Sequence, residues 1–300
     1  MNSPQSGIFA LGTASHAYLE FDLVAGAEPR HLVRALANLR EPRTTIGGIN
    51  LVSGFRPELW QELVPDGTPA GLAGFNQEIR GAEGYSMPAT QHDAVLWLAG
   101  SSYDVVFDEA RQAIGSLADL AVVAEETSSW PYRHDRDLTG FIDGTKNPSL
   151  LDAPGVLVIP DGSPGAGGTV LLLQKWAHHA ARWEALSARS QEQVMGRTKD
   201  ASVELDPLPA SSHVARTDQD VHGQIFRRNM PYGTVTEHGT MFVGFSADQA
   251  RMKSMLESMA GVAAGVRDAL TAYTTPLTGA YYFVPSIGAI SRFVTDDGAG

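Results

Sequence analysis

Three short segments of this 300-residue chain hold the side chains best suited to chemistry. The first, Gly140-Phe141-Ile142-Asp143-Gly144-Thr145-Lys146-Asn147-Pro148, sets one carboxylate between two glycines and closes on a turn-prone Lys-Asn-Pro. Glycine lets backbone approach a bulky ligand and adopt angles other residues avoid, so Asp143 is expected on a ligand-facing turn rather than a helix face. The second, Ser211-Ser212-His213-Val214-Ala215-Arg216, carries an imidazole. The third, Phe226-Arg227-Arg228-Asn229-Met230-Pro231-Tyr232-Gly233, carries an arginine with a neutral amide two residues on. Side chains alternate across a strand, so Arg227 and Asn229 share one face and Arg228 takes the other. Together the segments offer a proton-moving acid, a metal-binding imidazole and a fixed cation beside an amide.

These groups need a scaffold, and its elements can be read along the chain. Leu19, Phe21 and Leu23 alternate with Tyr18, Glu20 and Asp22, the period of a strand. Pro29 opens a helix with Leu32, Val33, Leu36 and Leu39 on one face. An extended run covers 44–54, and an irregular stretch begins at Trp60. Residues 94–99 form a short apolar strand, and Ser101 and Ser102 cap a helix that turns Val106, Ala110, Ile114 and Leu117 inward. The second half repeats this logic. A strand at 169–173 precedes a helix with Trp176, Ala180 and Trp183 on one stripe and with His178 and His179 on its surface. A strand at 241–245 precedes a helix introduced by a Ser246/Gln249 capping box, with Met252, Met255, Leu256 and Met259 inward. Strand–helix order recurring in each half predicts an α+β fold of two ferredoxin-like βαββαβ modules, at 1–126 and 127–300. Residues 131–168, rich in proline and glycine toward their end, read as a long loop region around a ligand pocket.

Composition narrows the functional classes. Hydrophobic residues make up 43% of the chain, enough for a sizeable core, and acidic residues outnumber basic ones by 34 to 22, a formal charge of -12. Such a surface repels nucleic acid and anionic membranes. The absence of cysteine excludes disulfides, thiolate metal sites and cysteine nucleophiles, and suits a reducing cytoplasm. No basic-then-apolar leader and no apolar segment of spanning length is evident, so a cytoplasmic location is expected. No serine elbow or metal-binding helix accompanies Asp143, which argues against a hydrolase.

The three motifs, in this order, resemble those of the dye-decolourising peroxidases, in particular the smaller bacterial subgroup without long insertions. The Gly-x-x-Asp-Gly turn is the hallmark of that family, Gly-Thr-Lys-Asn-Pro is close to its usual continuation, and the likeness runs to Tyr281-Tyr282-Phe283-Val284-Pro285-Ser286. The resemblance implies two ferredoxin-like modules of the dimeric α+β barrel type, with haem b held chiefly in the second. It implies that His213 is the proximal ligand to the iron, and that Asp143, Arg227 and Asn229 organise proton transfer and O–O cleavage in hydrogen peroxide. A ferryl/porphyrin-radical state would then take electrons one at a time from dyes, phenols or other small aromatic donors. It also implies homo-oligomers. Encapsulin packaging occurs in some relatives, but the tail, residues 295–300, shows no targeting peptide.

Two assignments stay open at this stage. Asp268, placed in the helix preceding Thr274, either bonds the second ring nitrogen of His213 or is a solvated helix acid. Arg197, in Gly196-Arg197-Thr198-Lys199, either binds a haem propionate or pairs at the surface. Trp176, Trp183, Tyr273, Tyr281 and Tyr282 are either core residues or electron relays. Two rival functions are a haem-handling protein, such as a chelatase or coproporphyrin-remodelling enzyme on a related fold, and a non-catalytic ligand-binding protein.

Overall fold

The computed structural model describes residues 2–9, 11–39, 48–133 and 135–294. Its first unit comprises β1 (Ser15–Leu23), α1 (Pro29–Asn38), β2 (Ile49–Phe55) and α2 (Pro57–Leu63), then a small hairpin, β3 (Ile79–Arg80) and β4 (Ser86–Met87). It ends with β5 (Ala94–Gly100), α3 (Tyr103–Leu117) and β6 (Ala121–Ser129), so its last strand runs past residue 126. After α4 (Ala153–Leu157), the second unit brings β7 (Thr169–His178), α5 (Ala180–Glu184), α6 (Ala188–Met195), α7 (His213–Arg216) and α8 (Gln219–His222). It continues with β8 (Phe226–Gly233), β9 (His238–Ser246), α9 (Gln249–Ala260), β10 (Thr274–Pro276) and β11 (Ala280–Val284), followed by α10 (Ile287–Ile290).

The strand order is β2-β5-β1-β6 in the first unit and β8-β9-β7-β11 in the second, the same antiparallel order twice over. This is the ferredoxin-like pattern, duplicated. The two sheets meet edge to edge at Phe283/Phe55 and at Ser129/Tyr232, which closes the strands into a barrel and leaves β10 outside on β7.

Closure explains where the sequence pattern misleads. The alternation in β1 predicts one dry face and one polar face, yet Tyr18 and Glu20 are as buried as Leu19 and Phe21. Leu19 and Phe21 pack with Leu32, Leu36 and Leu117 under the helices, whereas Tyr18 joins Val52, Trp97, Phe245 and Tyr282 inside the barrel. Glu20 lies inside with the hydroxyl of Tyr282 donating to it at 2.5 Å.

Other expectations need correction. Trp176 and His178 lie on β7, and His179 precedes α5, so the helix expected across 176–183 is a strand end followed by one turn. Trp60 is fully buried within α2, which Pro57 opens, rather than starting an irregular stretch. Asp248, not Ser246 with Gln249, caps α9 by accepting from the Ala250 amide at 2.9 Å; the Gln249 side chain reaches across to Ala73. Asp268 lies outside any α-helix, as the cap of a 3-10 turn, Ala269–Ala272. The run expected over 44–54 falls partly outside the described residues, as do His134 and the tail from 295.

Candidate active site

The outer face of the second sheet forms the floor of a cavity open to solvent at its mouth. Leu172, Gln174 and Trp176 from β7 and Phe242 from β9 face it, with α9 contributing Met252, Met255 and Met259. Where the first unit packs α1 and α3 directly onto its sheet, the second keeps this space.

The loop carrying Asp143 is anchored from several sides. Gly140 and Gly144 adopt φ +85 and +70, the left-handed region that costs other residues energy. The Arg136 guanidinium donates to the carbonyls of Gly140 at 2.7 Å and Lys199 at 2.9 Å, and the Asp143 amide donates to Asp135 O at 2.6 Å. Asn147 then docks the loop on β8: its amide donates to Arg227 O at 2.8 Å, and its Oδ1 accepts from Arg227 N at 3.0 Å. A side-chain amide thus mimics a neighbouring strand at an edge that β6 reaches only at Tyr232.

This docking presents the Asp143 carboxylate to Asn229. The Asn229 backbone N–H donates to Oδ2 at 3.0 Å, and its side-chain Nδ2 donates to Oδ1 at 2.7 Å. The Asn229 side-chain amide thus orients Asp143 through one of its two N–H groups. Arg227 Nη2 stands 3.8 Å from Oδ1, a loose ion pair, and its side chain lines the cavity. Arg228, on the opposite face, is buried in the barrel over the rings of Trp97 and Phe226 and donates to Ile8 O at 3.0 Å.

His213 opens α7 and lines the same cavity, with Ser212 as the helix cap. Its Nδ1 lies 2.7 Å from Oδ2 of Asp268, which is fully buried and whose Oδ1 accepts from Leu270 N at 2.9 Å. A carboxylate can only accept, so Nδ1 donates to it, and in the neutral ring that leaves the Nε2 lone pair for a metal. Of the two readings of Asp268, the solvated helix acid is excluded by this burial. The Ala269 amide, donating to Ser211 O at 2.7 Å, fixes the acid's segment to that of the histidine.

Arg197 also lines the cavity, but its guanidinium is engaged by Glu204 at 3.0 Å and by Ser202 O at 2.9 Å. Two participants escaped sequence reasoning. Asn147 stood within the first motif without a task. Asp137, six positions before Asp143, lines the cavity and is pushed up to about 6, first by burial and then by the charge of Asp143. A second acid in the same glycine-rich loop was the available signal. Among the described residues no group of three or more His, Cys, Asp or Glu could hold a metal ion on its own, so a ligand delivered through His213 would need the rest of its coordination from elsewhere.

Comparison with known proteins agrees with this geometry. Residues 134–289 match the family model of the C-terminal part of Dyp-type peroxidases. The dye-decolorizing peroxidase of Brevibacterium linens is 36% identical over 248 residues, covering 79% of this chain and 67% of the relative. That of Mycobacterium tuberculosis is 36% identical over 266 residues, covering 85% of this chain and 78% of the relative. Among solved structures, a haem-complexed variant of DypB from Rhodococcus jostii superposes with a TM-score of 0.88 at 30% identity, over 97% of this chain and 99% of that one. With its duplicated fold, its Gly-x-x-Asp-Gly loop on β8 and its carboxylate-held histidine, the chain belongs to the Dyp-type peroxidase family.

Proposed function

We propose that His213 ligates the iron of haem b through Nε2 and that Asp143, Arg227 and Asn229 handle hydrogen peroxide in the same cavity. The family supplies the general activity, an oxidoreductase acting on hydrogen peroxide with haem as cofactor. The cavity suits that group: it is lined by the apolar Leu172, Phe242, Met252 and Met255, and provides one imidazole held by a buried carboxylate. When bound, haem supplies the redox centre that receives the oxidising equivalents of peroxide.

The residues divide the remaining work. Asp143, held by two donors from Asn229, has a fixed orientation from which to take a proton from one peroxide oxygen and return it to the other. Arg227 is not tightly paired, so its guanidinium is available to stabilise negative charge as the O–O bond breaks. Asp268 makes His213 more electron-rich and keeps it in the ligating tautomer. Asn147 and Arg136 hold the loop so that Asp143 meets β8. Arg197, already paired with Glu204, is placed at the cavity wall where a propionate would compete for it.

The observation that carries this reading is the meeting of two separate hydrogen-bonded sets, His213–Asp268 and Asp143–Asn229, on one cavity. Simple haem transfer has no use for the Asp143–Arg227 arrangement. The test is peroxide consumption by the haem-loaded protein with a phenolic donor. Turnover lost in Arg227→Ala while haem is retained supports the assignment; unchanged turnover in that variant opposes it.

Among the described residues no helix is long and apolar enough to cross a membrane. The acidic, cysteine-free composition supports a cytoplasmic location, and the family resemblance supports a homo-oligomer and small aromatic electron donors.

A further inference from the structure

Four of the chain's eight methionines, Met195, Met252, Met255 and Met259, line the cavity that His213, Asp143 and Arg227 also line. Three of them stand at i, i+3 and i+7 on α9, so one stripe of that helix is built of thioethers. The fourth closes α6 and packs with Phe141 and Trp183. The stripe runs beside the imidazole. α7 packs on α9, and the carbonyl of Met259 accepts from the amide of Asp268, the acid bonded to His213, at 2.9 Å. The sulfur of Met252 lies against β9, where Gly244 leaves the room. A carbon added to that glycine would stand 3.5 Å from Sδ and 2.7 Å from the ring of Phe242 on the cavity floor.

An apolar helix face does not require sulfur. Leu256 fills its place on the same helix without it, and leucine specifies a packed position better than the flexible methionine. What methionine adds is a polarizable thioether that accepts an oxygen atom. In a chain without cysteine, thioethers are the only sulfur available for oxidation.

Peroxide arriving from bulk solvent would meet these sulfurs poorly. Met195, Met252 and Met255 are only 7, 1 and 5% exposed, although all three line the cavity. Met230 is partly exposed on the face of β8 opposite Arg227 and Asn229, and is the easier target from outside. Met87 and Met241 are as buried, at 0 and 1%, but neither lines the cavity. Oxidation of the buried cavity methionines ahead of these three would therefore mark an oxidant generated within the cavity.

We infer that Met195, Met252, Met255 and Met259 are modification sites, each converted to methionine sulfoxide when peroxide reacts in the cavity without an electron donor. The inference rests on the peroxidase reading above. The net step balances: the O–O bond of hydrogen peroxide breaks, the thioether sulfur commits an electron pair to a new S–O bond, and the second oxygen leaves as water with both protons. One peroxide is reduced for each sulfur oxidised, so the methionine wall is a finite sink for oxidising equivalents. The product is a polar group on an apolar wall, and sulfoxide reductases can reverse it.

The experiment is peptide mass spectrometry of the haem-loaded wild type after a small excess of hydrogen peroxide, with and without guaiacol as electron donor. Haem-free protein is treated alike, and the Soret band is recorded in the same samples. The expected result, without donor, is oxygen gain at Met195, Met252 and Met255 about tenfold or more above that at Met87, Met230 and Met241. Omitting haem or supplying guaiacol should each remove most of that gain. Met259 is more exposed, so the three buried residues decide. Equal oxidation in the haem-free protein, or oxygen found on the cavity-lining Trp176 in place of the methionines, would overturn the inference. A Soret band that responds to peroxide while the three methionines stay intact sinks the inference alone. A band indifferent to peroxide sinks the peroxidase reading with it.

Discussion

Replacing Asp268 by asparagine removes one charge and turns one of its two acceptor oxygens into a donor, with little change of shape. The carboxylate is fully buried, with Oδ2 2.7 Å from His213 Nδ1 and Oδ1 accepting from Leu270 N at 2.9 Å. Asparagine has a single acceptor oxygen, so if it keeps the bond from Leu270 N its NH2 group faces the Nδ1–H of His213, donor against donor. The bond to the imidazole, about 1.5–3 kcal/mol with a charged acceptor, is then lost. A loss of about 1.4 kcal/mol is one factor of ten in affinity, and partners of metal-bound histidines are worth roughly 10- to 100-fold. Asp268→Asn is therefore expected to weaken haem retention about tenfold or more and to raise the reduction potential, since a less basic imidazole favours oxidised iron less. Haem transfer to an excess of an apo-acceptor and a spectroelectrochemical titration measure both. Wild-type retention together with a wild-type potential would refute the role given to Asp268.

Three other outcomes follow from the same structure. Asn229→Ala deletes the 2.7 Å bond to Asp143 and should slow the reaction with peroxide by about tenfold, read by stopped-flow absorbance, while leaving haem content intact. Gly144→Ala forces a side chain into φ +70 and against Asn147 Nδ2, 2.9 Å from the added carbon; a cost of roughly 1–2 kcal/mol should appear as a lower denaturant midpoint. Glu20, whose burial lifts it from 4.5 to about 7, is held protonated in the fold while the unfolded chain ionises. Its stabilising contribution is thus complete below about pH 4.5 and lost as pH rises to about 7, on the order of 3 kcal/mol in total. Denaturant unfolding at several pH values should show that loss in wild type and a correspondingly flatter profile in Glu20→Gln.

How much was legible in the sequence varied with how local the cause was. The shared face of Arg227 and Asn229, and the opposite face for Arg228, follow from strand alternation and need no tertiary information. The duplicated strand–helix order was equally readable, and barrel closure was implied by the family resemblance rather than by any pattern of residues. Closure is why Tyr18 and Glu20 are buried despite their polar spacing. β7 misled for a related reason: Trp176 lines the ligand cavity on one face, while Leu171 and Leu173 fill the barrel on the other, so the run lacks a strand's usual polar face. The choice between two readings of Asp268 depended on a contact with His213, 55 residues away, that no local pattern encodes. The task of Asn147 is likewise a product of long-range docking, visible only once the loop lies on β8.

The most direct test of the account is stopped-flow absorbance of the haem-loaded protein mixed with one equivalent of hydrogen peroxide, for wild type, Asp143→Ala, Arg227→Ala and His213→Ala. The account predicts a rapid peroxide-dependent Soret change in wild type, slower changes in the Asp143 and Arg227 variants, and failure of His213→Ala to retain haem. A wild-type Soret band that does not respond to peroxide, or a His213→Ala protein that binds haem and reacts normally, would contradict it.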